Sequence, residues 1–391
     1  MNNIRVRFSH WRQYFKRETR LRFLSYARKT RRLFSKSQQP AILIGPNNSA
    51  NQGTEWSTVL NSHGAKSDSL KISADSAAQK FPTDIALSRT EWLPIERRQK
   101  LAEFVATEKD IVLIESLSTL FSLHTKRVEK RPILEDLTLL RRMGKRIGIV
   151  FHGSDIRDTD AHAARISFST FGKKADEIRA LSERSAENRE LLPDLRRRKI
   201  PIFVTTLDLF YEVPDAIWLP VAIDFPKFEA VALSSPVYKD PHQKLRVLFL
   251  PSRGWIKSAD LIEPVLRKLD AEGIITYVGK KEETEFFPHD QIPDLLGSVD
   301  VVIDQFLGVI GVFAIEALAA ERIVLSYLPE ELHKYGEVPI VNITPDSLEG
   351  ELRRVAAERP LPHGGVEFAR KWHDGRESAR VIADTFRFKL K

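Results

Sequence analysis

Four short segments place chemistry-bearing residues directly after apolar runs. Phe151–Arg157 (FHGSDIR) sets His152, Asp155 and Arg157 within six residues. An imidazole changes charge near neutral pH. His152 is therefore a candidate acid, base or charge stabiliser, with Asp155 and Arg157 as candidate cleft groups. A lone histidine is more often structural, and the end of a buried strand is what favours function here. Pro251–Lys257 (PSRGWIK) carries Arg253 and Lys257 around Gly254. Arginine offers paired donors to a phosphate and lysine a point charge. Cations at a helix start oppose the helix dipole, so two together point to a bound anion; two surface cations are the alternative.

The third segment is Asp304–Tyr327 (DQFLGVIGVFAIEALAAERIVLSY). Gly308 and Gly311 free backbone N–H groups for a phosphate ahead of a helical pattern. Glu316 falls about one turn inside that helix. There it can accept from ribose hydroxyls, as acids do in dinucleotide sites. Among Val312, Phe313, Ile315 and Leu318, a carboxylate without a partner is costly. Asp304 and Gln305 stand at the preceding strand's end as further ligand-facing candidates. The fourth segment, Gly45–Gly53 (GPNNSANQG), precedes a helix start at Thr54 and suits an anion, with Gly45 the candidate contact. A plain turn fits it equally. It has neither GxGxxG nor a following Gly-Lys-Ser/Thr.

Alternating elements must position these segments. Strands are expected at Ala41–Ile44, Asp110–Glu115, Arg146–Phe151, Pro201–Thr205 and Ile217–Val221. Helical patterns occupy Thr54–Ser62 and Ile133–Arg142, and the charged stretch Ala164–Lys199 reads as a solvated helix face. Asp224–Gln243, with three prolines and little periodicity, reads as a linker. The pattern then restarts with strands at Leu245–Leu250, Ile274–Val278, Asp300–Ile303 and Ile323–Tyr327. Helices fall at Ser258–Leu269, Gln291–Leu296 and Val312–Ala320, and a helical segment, Gly375–Phe388, ends the chain. Alternation of this kind predicts parallel sheets covered by helices, with ligands outside the strands' carboxyl ends.

A chain of 391 residues suits two domains. The expected division is a basic extension over 1–37, a first unit over 38–223, a linker over 224–243, a second unit over 244–372 and a final crossing helix over 373–391. The absence of cysteine excludes disulfides and thiolate metal sites and fits a cytoplasmic setting. No apolar stretch approaches a membrane span, and the basic start lacks the apolar core of a signal peptide. The net charge of +8 is uneven. Residues 1–36 hold twelve Lys and Arg against Glu18 alone, and the remainder holds 49 basic and 52 acidic residues. This head also carries Trp11, Tyr14 and Phe15 at helical spacing. It fits a peripheral contact with an anionic membrane surface, a poorly ordered extension or a nucleic-acid contact, in that order. GxSxG and HExxH are absent. His242, His289, His333 and His363 fall in separate loops without metal-ligand spacing.

Pro251–Lys257, Asp304–Tyr327 and the terminal His373–Arg376 with Ser378–Ala379 resemble bacterial glycosyltransferases of the family 4 type. The resemblance spans nearly everything from Ala41 onward, is moderate at His152–Arg157 and is absent from residues 1–36. It implies the GT-B fold: two Rossmann-like doubly wound α/β domains facing a cleft, with a C-terminal helix crossing back to the first. It further implies a retaining, metal-independent glycosyltransferase acting on a UDP- or GDP-sugar substrate without another cofactor. The acceptor would be a glycan, a lipid-linked or a small molecule. By motif match, Arg253 and Lys257 hold the diphosphate and Glu316 the ribose. Gly311 lies in the phosphate-facing turn, Gly45 near the donor and His152 near the donor sugar. The family commonly carries a second glutamate eight positions before the first. Here that place is Gly308, with Asp304 and Gln305 as nearby substitutes. The departure leaves room for a non-catalytic scaffold of a membrane-associated glycan assembly and, more remotely, for a nucleotide-sugar epimerase.

Overall fold

The computed structural model describes residues 2–33, 39–74, 81–123, 133–172, 176–239, 242–251, 256–279, 287–330 and 337–391; the side chains of residues 2–12, 33 and 177 are not described. Two wholly parallel sheets organise the chain. The first contains β1 (Ala41–Gly45), β2 (Lys66–Ser73), β3 (Ile85–Ser88), β4 (Ile111–Glu115), β5 (Arg146–Phe151), β6 (Ile202–Val204) and β7 (Ile217–Trp218), in the order β3-β2-β1-β4-β5-β6-β7. The second contains β8 (Leu245–Phe249), β9 (Ile275–Val278), β10 (Val301–Ile303), β11 (Ile323–Ser326) and β12 (Val341–Asn342), in the order β12-β11-β10-β8-β9. The central strands are continuous apolar runs because helices cover both faces. Ile42, Leu43, Val112, Val247 and Val302 are fully buried.

Strand order reverses between β1 and β4 in the first sheet and between β8 and β10 in the second. A crevice opens at the carboxyl end of each such switch point. These crevices receive the loops that follow β1, β4, β8 and β10. The final helix, Arg376–Phe386, returns to the first sheet. Its Ala379, Ile382 and Phe386 share a core with Ile42, Ile44, Trp56 and Val150. The crossing is pinned where Ile223 N donates to His373 O at 2.9 Å and Ser378 Oγ to Pro220 O at 2.7 Å.

Three stretches differ from the sequence reading. Within 224–243 a helix, Phe225–Ser234, forms and buries Phe225, Phe228 and Val231 in the core of the second sheet. Pro226 lies in the helix's first turn, where its missing N–H costs nothing. The charged stretch 164–199 is not simply a solvated face. It breaks into several short elements, and Phe171 and Ile178 bury themselves against Leu307 and Val309 of the second unit. Residues 2–33 are no loose extension either. One helix, Asn2–Leu33, lies along the first unit. Leu21 is 1% exposed, which by area stabilises docking by about 1.5–3 kcal/mol. Ser25 Oγ donates to Met143 O at 2.6 Å, and Arg142 holds the buried Glu18 at 2.8 Å. The expected aromatic face shifts accordingly. Tyr14 is buried against the body, while Phe15, Phe23 and Tyr26 point outward.

Candidate functional site

The first wall of the cleft is built around Glu115, the last residue of β4, which is fully buried. Its Oε2 accepts from the backbone N–H of Asn47 at 2.9 Å and of Asn48 at 2.7 Å. Its Oε1 accepts from Ser49 N at 3.1 Å and meets His152 Nε2 at 3.0 Å. One carboxylate thus shapes the loop after β1 and orients the imidazole after β5. Burial works against a charged ring at His152 and a charged carboxylate at Glu115. Their mutual hydrogen bond outweighs it, so the histidine titrates above its usual range and the glutamate below. A carboxylate can only accept, so Nε2 carries the proton. Trp56 stacks on the ring with centroids 5.9 Å apart.

Asp155 serves the same turn. It accepts from His152 N at 3.0 Å, Gly153 N at 2.8 Å and Ser116 Oγ at 2.6 Å. It is 8% exposed and lines the cavity beside His152 while holding the histidine's backbone. Arg157 has a partner of its own. It is buried in a two-point pair with Asp208, Nε to Oδ2 at 3.0 Å and Nη2 to Oδ2 at 2.5 Å, and presents no free cation to the cleft. Gly45 is required by packing, because a Cβ there would meet Leu70 O of β2 at 2.5 Å. Beside His152 a cavity of about 740 Å³ is lined by Asn47, Ser116, Ser154 and Arg184. Arg184 stands on the helix Asp176–Arg189, within the stretch read from sequence as a solvated face.

The second wall comes from the loops after β8 and β10. Arg253 lies outside the described residues. Lys257 Nζ meets Asp304 Oδ1 at 2.6 Å, and Gly311 N donates to Asp304 Oδ2 at 3.0 Å. Asp304 is fully buried, so it ties the lysine to the first turn of the helix Val312–Ala319. A Cβ at Gly311 would meet Asp304 Oδ2 at 2.9 Å, which explains the glycine. Lys257 has three donors, and one carboxylate contact leaves others for an anion. Gln305 turns inward to Val309 O at 3.3 Å. Beyond Lys257, Ser258 caps the helix Ala259–Ala271 in a left-handed conformation, and its buried Oγ has no partner among the described residues.

Glu316 is 3% exposed and its Oε1 meets His289 Nε2 at 2.6 Å. That bond holds the histidine above its usual range against the opposing effect of burial. His289, set aside by spacing, is therefore the partner that makes a carboxylate tolerable in this apolar helix. Across the cleft stand Phe81, whose ring lies 5.1 Å from His289, and Glu55. Burial pushes the Glu55 carboxyl up to about 7, with Asp224 and Glu316 adding to the rise and the Asn51 hydrogen bond opposing it. Glu115, His289 and Glu55 were not singled out from sequence. Each acquires its meaning from a partner on another element.

The Gly308 loop is also clamped across the two units. His162 Nε2 donates to Leu307 O at 2.9 Å, and burial lowers that histidine to about 4, so it bridges as a neutral ring. Gly308 has φ +69°, and a Cβ there would meet Ile166 and Pro329 at 3.0 Å. A glutamate here would hold a strained left-handed backbone and require Ile166 or Pro329 to shift by a few tenths of an ångström.

Comparison with solved structures agrees with this architecture. The crystal structure of HepE from Anabaena, in complex with UDP and glucose, aligns over 90% of this chain and 100% of its own, with 10% identity and a TM-score of 0.51. The chain has the GT-B fold. An α-glucosyltransferase in complex with UDP aligns over 90% of this chain and 99% of its own, at 10% identity and a TM-score of 0.47. AviGT4, a glycosyltransferase involved in avilamycin A biosynthesis, aligns over 89% and 97%, at 12% identity and a TM-score of 0.41. No family model and no curated protein sequence matches the chain.

Proposed function

We propose that this protein is a glycosyltransferase of the family 4 type that moves a sugar from a nucleotide diphosphate donor to an acceptor, with retention and without a metal. The observation that carries this reading is a set of ligand-suited loops at each switch point. In the second unit Lys257 and the helix Val312–Ala319 supply positive charge, in the first Glu115 orients His152, and Phe81 of the first unit lies 5.1 Å from the His289 that holds Glu316. In this reading Arg253 and Lys257 hold the diphosphate, and the backbone at Gly311 adds the positive end of a helix. Glu316 and His289 meet the ribose, replacing their mutual hydrogen bond with bonds to its hydroxyls. His152, kept protonated by Glu115, donates from Nδ1 to the donor as negative charge develops on the departing diphosphate. The HepE structure holds UDP and glucose, which supports a UDP-linked sugar. Glycan, lipid-linked and small acceptors all fit a cytoplasmic enzyme of this architecture.

One observation favours a second reading, a non-catalytic GT-B scaffold. Ile166 and Pro329 crowd the place where a sugar-facing glutamate would stand at Gly308. The two readings separate in one assay. The protein is incubated with a panel of UDP- and GDP-sugars, and nucleotide release is followed with the anomeric configuration of the product. Catalysis predicts release that His152→Ala lowers by roughly 10²-fold or more. Binding without release by the wild type supports the scaffold, and neither binding nor release refutes both.

A further inference from the structure

A strongly cationic surface lies away from the cleft. Between the helix Asn2–Leu33 and the loops entering β4 and β5 runs a groove of about 790 Å³, lined by seven cationic side chains against one carboxylate, Asp110. Asp110 is already bound by Arg28 and Arg32. Lys145 and Arg146 also line a neighbouring depression that adds Arg141, Arg198, Lys199 and Arg387. On the helix, Lys16, Arg22, Lys29 and Arg31 are exposed and meet no carboxylate among the described residues. Phe23 and Tyr26, each 71% exposed, border the same groove, and Phe15 is 43% exposed.

These groups are ordered along the helix. Phe15, Arg22, Tyr26 and Lys29 follow at intervals of seven, four and three, which keeps them on one side. The helix of 32 residues extends about 48 Å. The adjacent side of the helix is consumed by Tyr14, Glu18, Leu21 and Ser25, which are buried against the body. Phe23 and Tyr26 stay exposed although burial would favour their rings.

We propose that this stripe and the basic groove beside it dock the protein on an anionic lipid bilayer. A flat surface meets the whole stripe at once. The rings then sit at headgroup depth while the cations pair with lipid phosphates. The groove adjoins the amino ends of β4 and β5, whereas the cleft opens at the carboxyl ends. Docking thus leaves the cleft accessible to a soluble nucleotide sugar, and it stands whether or not the protein transfers one.

The test is co-flotation of the full chain with phosphatidylglycerol-containing vesicles and with phosphatidylcholine vesicles. Flotation is expected only with the anionic vesicles, with release at about 1 M salt, where the Debye length falls to about 3 Å. The double variants R22E/K29E and F23A/Y26A should each weaken vesicle binding by roughly tenfold or more while keeping the wild-type melting temperature, because all four residues are exposed. Absence of binding, equal binding to neutral vesicles, or binding that both variants retain would overturn the proposal. So would retention on duplex nucleic acid in preference to vesicles at the same salt.

Discussion

Glu55 sits near the start of the helix Gln52–Ser62 and is partly buried. Asn51 Nδ2 donates to its Oε1 at 2.6 Å. Burial nevertheless raises its pKa from 4.5 to about 7. A carboxyl with a raised folded pKa keeps its proton between those values while the unfolded chain has lost it. Stability therefore falls as pH rises from 4.5 to 7, and the whole cost is present above 7. At about 1.36 kcal/mol per pH unit, the difference amounts to roughly 3 kcal/mol. Glu55→Gln keeps the acceptor for Asn51 and removes the charge. Urea unfolding across pH 4 to 8 should show the variant matching the wild type in acid and exceeding it by up to about 3 kcal/mol above pH 7. A difference that does not change with pH, or a variant less stable than the wild type at pH 8, would refute the reasoning.

Two further outcomes follow from buried pairs. Arg157→Met leaves Asp208 buried without its cation and should cost about 3–5 kcal/mol in urea unfolding. Replacing both, as R157M/D208L, should recover much of that loss. The proposed role of His152 has a sign. Activity should fall as pH rises through the histidine's elevated pKa, and Glu115→Gln, which removes the charge raising it, should move that fall to lower pH in a rate profile. A general-base role would instead make activity rise with pH.

Much of the fold was legible in the sequence because central strands of parallel sheets are unbroken apolar runs. β1, β4, β5, β8, β10 and β11 were all visible in this way. β2 was not, since only Leu70 and Ile72 of its eight residues are apolar. Its buried serines are satisfied by side chains instead: Ser67 N donates to Asn61 Oδ1 at 2.7 Å and Ser69 N to Asp84 Oδ2 at 2.7 Å. The glycine-rich turn and Glu316 could be found because local spacing defines them. His289 lies 27 positions before Glu316 and Glu115 lies 37 before His152, so no periodicity links either pair. Only the sheet topology brings them together. Gly308 shows the same limit. The sequence revealed a missing glutamate, but only the structure shows the left-handed backbone and the close approach of Ile166 and Pro329 that favour glycine there.

The central claim is that Lys257, the helix starting at Val312 and Glu316 hold a nucleoside diphosphate. Isothermal calorimetry of UDP with the wild type and with Lys257→Ala and Glu316→Ala tests it most directly. The account predicts saturable binding by the wild type. Each variant should weaken it by roughly tenfold or more, the equivalent of about 1.4 kcal/mol, at a temperature where its melting curve shows it folded. No binding by the wild type, or binding undiminished in both variants, would contradict it.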